Sequence, residues 1–228
     1  SQSMVQKVIS LRPRFHICAQ QALAERGGSS NDSAAVLHRF QSGSTITTAN
    51  TATTTTANTF TDYDEDAKAI ARLFAEIGEA YVELIAGATP DVMEPVEALL
   101  DVASHPDDTL CAISFNFWHL LSRTLTSGLH PQPLFVEDEH PGLSPDEIQH
   151  RLAVFSPIFE RLITLVRGRV RYPSDFDEWH RSEREDFRHS RIVIGDVLLD
   201  ASAVVGGGGA LKLLVEPLIE MSNRMQQQ

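Results

Sequence analysis

The chain has 228 residues, of which 42% are apolar and 22% charged, and it carries a net charge of −12 with a pI of about 5.1. A packed core is possible at this composition. A general nucleic-acid-binding role is disfavoured, because neutralising phosphates requires clustered lysine and arginine. The apolar runs are too short to span a bilayer, which takes roughly 20 residues, so we expect no membrane partner.

The cysteine content indicates a reducing compartment. Cys18 and Cys111 each lie in an apolar stretch with helical spacing, and neither belongs to a disulfide framework or a CxxC metal motif. The N-terminus lacks the continuous apolar segment of a signal peptide. A helix looks already under way at Met4, and the tail Gln226–Gln228 follows a helix without an obvious C-cap, so we expect a piece of a longer protein of the cytoplasm or nucleus.

The first part of the chain, residues 1–40, is interpreted as a partial helical repeat. Residues 4–26 predict two short helices that are interrupted near Pro13. Residues 41–62 differ in composition, because they contain ten threonines with Ser, Ala and Asn and almost nothing large. Such a segment buries too little apolar surface to offset its ordering entropy, so it is predicted to be a disordered linker or loop insertion.

Residues 63–228 are interpreted as a series of helix pairs. Apolar residues at three- and four-residue steps predict a first helix over 64–86, which ends at Gly87. Thr89 and Pro90 are typical of the start of a second helix, which runs to Ser104. A third helix is predicted from about residue 107 to Gly128.

The second half continues this order. Ser144 and the residues after it form a capping-box pattern that opens a helix running to Gly168. Residues 187–205 fit either a strand or a helix, and their length favours the helix. Gly206–Gly209 predict a break, and a last helix over 210–225 is interrupted at Pro217.

The helix near Asp64 and its counterpart near Asp107 start about 43 residues apart, within the ~40–47 residues typical of HEAT and armadillo repeats. Each unit of such an array buries the apolar face of its neighbour, which gives a superhelix. The predicted fold is therefore an all-α, HEAT/armadillo-like solenoid. A free-standing helical bundle is the structural alternative.

Three stretches resemble one protein family. They are HPDDTLCAISFNFWHLL at 105–121, ARLFAEIGEA at 71–80, and DFDEW at 175–179 followed by an arginine-bearing helix. Most of 64–205 is similar to the transportin-3/importin-13 branch of the importin-β family of nuclear import receptors. The threonine-rich segment and Gly206–Gly209 depart from that pattern.

The resemblance implies a binding protein without enzymatic activity or cofactor. Such receptors bind cargo in the cytoplasm, cross the nuclear pore by weak contacts with FG-repeat nucleoporins, and release cargo when Ran-GTP binds. In this branch the cargo typically includes serine/arginine-rich splicing factors. An unrelated HEAT-repeat scaffold, such as a phosphatase or vesicle-coat subunit, is the alternative function. A mixed α/β enzyme would require residues 192–205 to form a buried strand.

Two charged sets are candidate partner-binding surfaces. The stretch from Asp62 to Asp108 contains thirteen acidic and two basic residues, whereas the stretch from Arg151 to Arg191 contains nine arginines. The acidic candidates, which would meet a basic patch on Ran or arginine-rich cargo, are Glu137, Asp138, Glu139, Asp175, Asp177 and Glu178. The basic candidates, which would bind acidic groups bidentately from the second helix of a pair, are Arg151, Arg161, Arg167, Arg169 and Arg171. Solvated surface charge is the simpler interpretation of both sets.

No catalytic or metal-binding motif stands out. The nine histidines form no HxxxH or HExxH pattern, so no metal site is predicted. Gly206–Gly209 followed by Lys212 lacks the GK[ST] sequence of a phosphate-binding loop. His119, beside Trp118, is predicted to take part in helix packing, and Asn116 to hydrogen-bond with a neighbouring inter-helix turn.

Overall fold

The computed structural model describes residues 3–27, 57–127 and 143–226, and in these ranges every regular element is helical. The predicted all-α class is therefore confirmed. The helices are α1 (Met4–Ile9), α2 (Arg12–Gly27), α3 (Ala57–Ala80), α4 (Val82–Ala86), α5 (Met93–Ser104), α6 (Asp108–Ala112), α7 (Phe115–Thr126), α8 (Pro145–Val166), α9 (Arg181–Val205) and α10 (Gly207–Gln226). Short 3-10 turns cover Pro90–Val92, Arg167–Val170 and Phe176–Glu178.

The N-terminal break lies slightly earlier than predicted. Helix α1 ends at Ile9, the backbone N–H of its C-cap residue Ser10 bonds to the Gln6 carbonyl at 3.0 Å, and α2 starts at Arg12. Pro13 is therefore the second residue of α2. Its missing N–H and fixed φ cost little in the first turn of a helix.

Helix α3 begins earlier than predicted. The last six residues of the predicted linker, 57–62, belong to it. Threonine and alanine extend an existing helix at small cost, because propensities differ by only ~0.7 kcal/mol among ordinary residues. Residues 41–56, and 37–40 before them, lie outside the described residues, so the division of the chain at 40 and 62 stays a prediction.

Two predicted helices are interrupted. Tyr81, with φ −113° and ψ 19°, separates α3 from α4, although its N–H still bonds to the Ile77 carbonyl at 3.1 Å. Ser114 lies between α6 and α7, and its buried hydroxyl donates to the Cys111 carbonyl at 2.9 Å. Such side-chain bonds to nearby backbone compete with regular helix, and hydrophobic periodicity does not reveal them.

The caps also differ in detail. Thr89 makes no side-chain cap bond, because Pro90 starts a 3-10 turn and α5 begins only at Met93. The Ser144 cap is confirmed: its hydroxyl accepts from the Glu147 N–H at 3.2 Å, with Pro145 as the first residue of α8.

The ambiguous stretch 187–205 is helical. Helix α9 starts before it, at Arg181, where the His180 backbone N–H bonds to the Glu183 carboxylate at 2.8 Å. Its buried stripe consists of Ile194, Val197, Ala201 and Val204. The predicted break over Gly206–Gly209 is confined to Gly206. Its φ of 85° is a backbone conformation that residues with a Cβ rarely adopt. Gly207–Gly209 begin α10, which continues through Pro217 without the predicted interruption.

The main helices form two layers. In one layer α5 packs on α8, and α8 packs on α10; in the other α3 packs on α7, and α7 packs on α9. Helix α2 packs on α3, and α1 contacts both α3 and α5. Successive helix pairs thus stack side by side, which is the arrangement predicted for a helical-repeat solenoid.

Aromatic residues fill the space between the layers. Phe15 meets Phe74 edge to face at 6.0 Å between ring centroids, and Trp118 meets Phe159 at 5.6 Å. In the FNFW run Phe117 and Trp118 are fully buried, whereas Asn116 is exposed. Among the described residues, no helix combines the length and apolar character needed to cross a membrane.

Gly78 permits the closest approach in this core. A Cβ added there would lie 2.6 Å from Leu99 Cδ1 of α5 and 2.8 Å from Phe117 Cδ2 of α7. Three helices therefore meet at a position where only hydrogen fits. Gly195 on α9, by contrast, has open space around its Cα.

Alanine at these two glycines is expected to act in opposite directions. Gly78→Ala should lower the free energy of unfolding by about 1–2 kcal/mol, because overpacking a rigid core outweighs the gain in helix propensity. Gly195→Ala should raise it by about 0.5–1 kcal/mol, because helix propensity acts alone there. Urea denaturation of both variants measures the difference. Equal stabilisation by the two would show that α3, α5 and α7 do not approach as described.

Candidate partner-binding surface

The predicted site residues separate into different environments. Glu137, Asp138 and Glu139 lie outside the described residues. Arg151 and Arg161 lie on α8, and Arg167 and Arg169 lie in the 3-10 turn after it. Arg171 follows that turn, and Asp175, Asp177 and Glu178 lie in the connection between Arg171 and α9.

The two arginines of α8 form ion pairs within the chain. Arg161 binds both carboxylate oxygens of Glu97 on α5, at 2.8 and 3.2 Å, with 55% of its side chain exposed. Arg151 binds Glu147 one turn earlier on its own helix at 2.8 Å. An exposed pair of this kind contributes little stability, so Arg161 remains accessible to a partner that competes with Glu97.

The arginines of the 3-10 turn connect neighbouring elements. Arg167 donates to the Leu213 carbonyl of α10. Arg169 donates to the carbonyls of His105 and Pro106 and to the Asp108 carboxylate, with 14% of its side chain exposed. This fork joins the start of α6 to the end of α8. The sequence shows their charge but not that backbone carbonyls lie within their reach.

Polar contacts also run along each layer. Asp101 of α5 binds Arg12 and, at 3.0 Å, His16, both on α2. In the other layer Asn116 of α7 donates to Glu79 of α3 at 2.7 Å. The predicted bond of Asn116 thus exists, but its acceptor is a helical carboxylate just before the Tyr81 break.

His119 lies at the outer surface rather than in the packing of α7. Its Nδ1 is 2.8 Å from an Asp200 carboxylate oxygen on α9, and 46% of its side chain is exposed. Ser122 is close by, but its hydroxyl donates to the Asp200 backbone carbonyl at 2.8 Å. The serine is not polarised by the histidine, so the three residues do not form a Ser-His-Asp nucleophile.

An aromatic cluster joins the connection between α8 and α9 to the start of α9. Its ring centroids lie 4.7–5.6 Å from their neighbours, and its members are Tyr172, Phe176, Trp179 and Phe187. Arg191 stacks over Tyr172 at 4.1 Å, and Arg188 lies 5.5 Å from the Phe176 centroid. In the sequence, this cluster shows only as three aromatic residues, Tyr172, Phe176 and Trp179, within eight positions before an arginine-bearing helix.

The predicted acids border this cluster. Asp175 accepts a hydrogen bond from the Trp179 indole at 3.0 Å. Asp177 and Glu178 are exposed in the adjoining 3-10 turn. The connection therefore combines half-buried rings with adjacent carboxylates, and guanidinium groups bind both of these.

The described part of the chain contains no candidate metal site. Among those residues, no three or more His, Cys, Asp or Glu side chains are grouped so that they could hold an ion. Both cysteines are buried there as free thiols.

Comparisons with known proteins point to one class. Residues 62–133 match a family model described as the transportin-3/importin-13 second TPR domain. Transportin MOS14 of Arabidopsis thaliana is 39% identical over 157 residues, which are 69% of this chain and 16% of that protein. The mRNA transport regulator MTR10 of Saccharomyces cerevisiae is 29% identical over 169 residues, which are 72% of this chain and 15% of that protein. The chain thus spans about a sixth of the curated relatives it matches. No solved structure matches significantly.

Removing the two interhelical arginines is expected to have unequal effects. Arg169→Ala should lower the free energy of unfolding by about 2–3 kcal/mol, because it leaves backbone carbonyls and a carboxylate without their donor. Arg161→Ala should lower it by less than ~1 kcal/mol, because that pair is exposed. Chemical denaturation gives both values. A larger loss for Arg161→Ala would contradict the structural role of Arg169.

Cys111 is expected to be unreactive in the folded chain. Burial raises the pKa of its thiol from 9.0 to about 12, with a further contribution from the nearby acids and an opposing one from Arg169. In a Cys18→Ala background, Ellman's reagent at pH 8 should label Cys111 only after denaturant is added, because the thiolate is the nucleophile. Rapid labelling of the folded chain would exclude a buried thiol.

The same shift has a consequence for stability. The unfolded chain releases the thiol proton near pH 9 while the folded chain retains it, so the free energy of unfolding should fall between pH 9 and 12. Cys111→Ala should lack this part of the pH dependence.

Proposed function

We propose that this chain, which belongs to the transportin-like karyopherins, acts in a nuclear import receptor that carries protein cargo and releases it when Ran-GTP binds. Serine/arginine-rich splicing factors are the proposed cargo. The receptor would shuttle between cytoplasm and nucleus and cross the pore on FG-repeat nucleoporins. It acts by binding, without catalysis.

The observation that carries this proposal is the matched segment together with its packing. The 39% identity to a transportin covers 157 residues. Within the family-model match, Phe117 and Trp118 of the FNFW run lie in the centre of a two-layer helical array. Arrays of stacked helix pairs present extended surfaces suited to binding other proteins.

The connection before α9 is the surface we propose for arginine-rich cargo. Asp177 and Glu178 are exposed, and Tyr172, whose ring packs on that of the preceding Phe176, is 48% exposed. A cargo arginine would pair with the carboxylates and lie against an aromatic face. Glu137, Asp138 and Glu139, which lie outside the described residues, are proposed as a separate acidic contact for the same basic partners.

The arginine candidates are proposed to act differently from one another. Arg161 and Arg171 are exposed although each has a partner within the chain, and we propose that they exchange that partner for acidic groups of Ran or cargo. Arg151, Arg167 and Arg169 have internal partners, and we propose that they contribute to binding by fixing the helices on which the exposed groups lie.

A groove between α5, α8 and α10 is a candidate for weak contacts with FG repeats. Its volume is about 650 Å³, and its apolar lining comes from Leu100, Leu165, Leu213 and Pro157. It is open to solvent, and Asp101, Glu160 and Arg161 add charged groups to its lining. Weak binding of this kind suits rapid passage through the pore.

A chimera tests the function. The segment of Arabidopsis transportin MOS14 that matches this chain is replaced by the matching residues of the chain, and the purified chimera is assayed by pull-down with GTP-locked Ran and with an arginine/serine-rich cargo domain. We expect the chimera to bind the cargo and to release it when Ran-GTP is added.

The control is a chimera with Asp177→Asn and Glu178→Gln. It should retain Ran-GTP binding but hold cargo several-fold more weakly, because each exposed ion pair is worth ~0.2–1 kcal/mol. A folded chimera that ignores both Ran-GTP and cargo would exclude the proposed function. Cargo binding unaffected by the double change would exclude only the proposed surface.

A further inference from the structure

We infer that the first turns of α9 form a contact surface for an acidic protein segment, whose carboxylates bind Arg181, Arg184 and Arg188. We call these three residues the arginine stripe. The inference rests on the binding role proposed above, and it concerns residues that belong to neither of the predicted charged sets.

The arginine stripe lies along one side of an uninterrupted helix. Helix α9 extends from Arg181 to Val205, and steps of three and four residues make the three arginines neighbours on its surface. Arg181 and Arg188 are exposed, and Arg184 is half-buried. Over seven residues at about 1.5 Å each, the stripe is roughly 10 Å long. A stripe of this length fits several carboxylates along a peptide better than it fits one compact anion.

The charge of the arginine stripe is not compensated within the described part of the chain. None of the three arginines makes an ion pair with a described residue. Of the acids on the same helix, Glu183 accepts from the His180 backbone N–H at 2.8 Å, and Glu185 pairs with no described residue. Elsewhere in the chain a carboxylate is bound by each of Arg12, Arg14, Arg151, Arg161 and Arg169.

Two features of α9 make this charge unfavourable without a partner. Arg181 and Arg184 lie in the first turn, where the positive end of the helix dipole disfavours cations. Like charges three and four residues apart on a helix also repel one another. A bound anion relieves both effects, so the stripe gains more from a carboxylate than an isolated surface arginine does.

The aromatic cluster positions one member of the stripe. The Arg188 guanidinium lies over the Phe176 ring, with its central carbon 5.5 Å from the ring centroid. Phe176 is itself packed against Tyr172, Trp179 and Phe187. Contact with a ring face uses the charge of a guanidinium but none of its N–H donors. Arg188 therefore keeps its donors for a carboxylate, which it can bind bidentately.

The surrounding charge favours an acidic protein segment over a nucleic acid. The chain has a net charge of −12, and the exposed acids Asp177, Glu178 and Glu185 adjoin the stripe in sequence. A continuous phosphate backbone would have to pass these carboxylates, and tight binding to it requires clustered bases without them. A short acidic segment has to contact only the arginines.

The experiment uses the 228-residue chain and a short fluorescein-labelled peptide of alternating glutamate and serine. Binding is followed by fluorescence anisotropy at low ionic strength, where exposed ion pairs are least screened. Arg181→Gln with Arg188→Gln should weaken binding about five-fold, because each exposed pair contributes little by itself. Arg188→Lys should weaken it about two-fold, because lysine keeps the charge but not the planar fork of donors. Circular dichroism checks that each variant keeps its helical content.

A change of opposite sign tests the same surface. Glu185→Gln should strengthen binding of the glutamate peptide about two-fold, because it removes a like charge from the helix that carries the stripe. Weaker binding by this variant would contradict a surface that recognises carboxylates.

The matched control is Arg72→Gln with Arg123→Gln, which removes the same charge from exposed positions on α3 and α7 and should leave binding unchanged. Equal weakening by this control would overturn the inference, because it would show a general effect of net charge. A peptide of alternating glutamine and serine that binds equally well would also overturn it. Tighter binding of a single-stranded RNA through the same arginines would overturn it in favour of a nucleic acid. The assay contains neither Ran nor arginine-rich cargo, so its failure is distinguishable from failure of the chimera experiment.

Discussion

The central constraint of the structure is the position of α7 between its neighbours. Phe117 of this helix lies against Gly78 of α3, where an added Cβ would be 2.8 Å from the ring, and Trp118 meets Phe159 of α8 edge to face at 5.6 Å. Both rings are fully buried. One short helix therefore fixes the spacing to the preceding pair and to the following pair, and the two-layer order depends on that spacing. The dense packing of protein interiors makes such a position intolerant of added volume.

Charged groups complete the same arrangement from outside. Arg169 joins the start of α6 to the end of α8, and Asp101 joins α5 to α2. Asn116 and His119, one turn apart on α7, reach α3 and α9 respectively. Many of the charges that look like a binding surface in the sequence thus hold neighbouring helices together. The groups left for partners are the exposed ones, among them the proposed cargo-binding residues Asp177 and Glu178.

The fold class and the family could be predicted from the sequence because both depend on local patterns. The period of Ile70, Phe74 and Ile77 identifies a helix, and the FNFW run identifies the relatives. The breaks at Tyr81 and Ser114 could not be predicted, because hydrophobic spacing encodes neither the backbone dihedrals of Tyr81 nor the bond from the Ser114 hydroxyl to the Cys111 carbonyl. The arginine candidates show the same limit. Whether Arg169 faces solvent or the His105 carbonyl depends on residues more than sixty positions away, and sequence spacing carries no information on that distance.

Native-state hydrogen exchange of the 228-residue chain tests the central role of α7 most directly. If α7 connects the two neighbouring helix pairs, its amides should exchange among the slowest, together with those of α5 and α8, and only on global unfolding. Those of the short α1 should exchange earlier through local opening. Exchange of α7 as fast as that of α1, while α5 and α8 stay protected, would contradict the account, because the helix pairs would then hold their spacing without it.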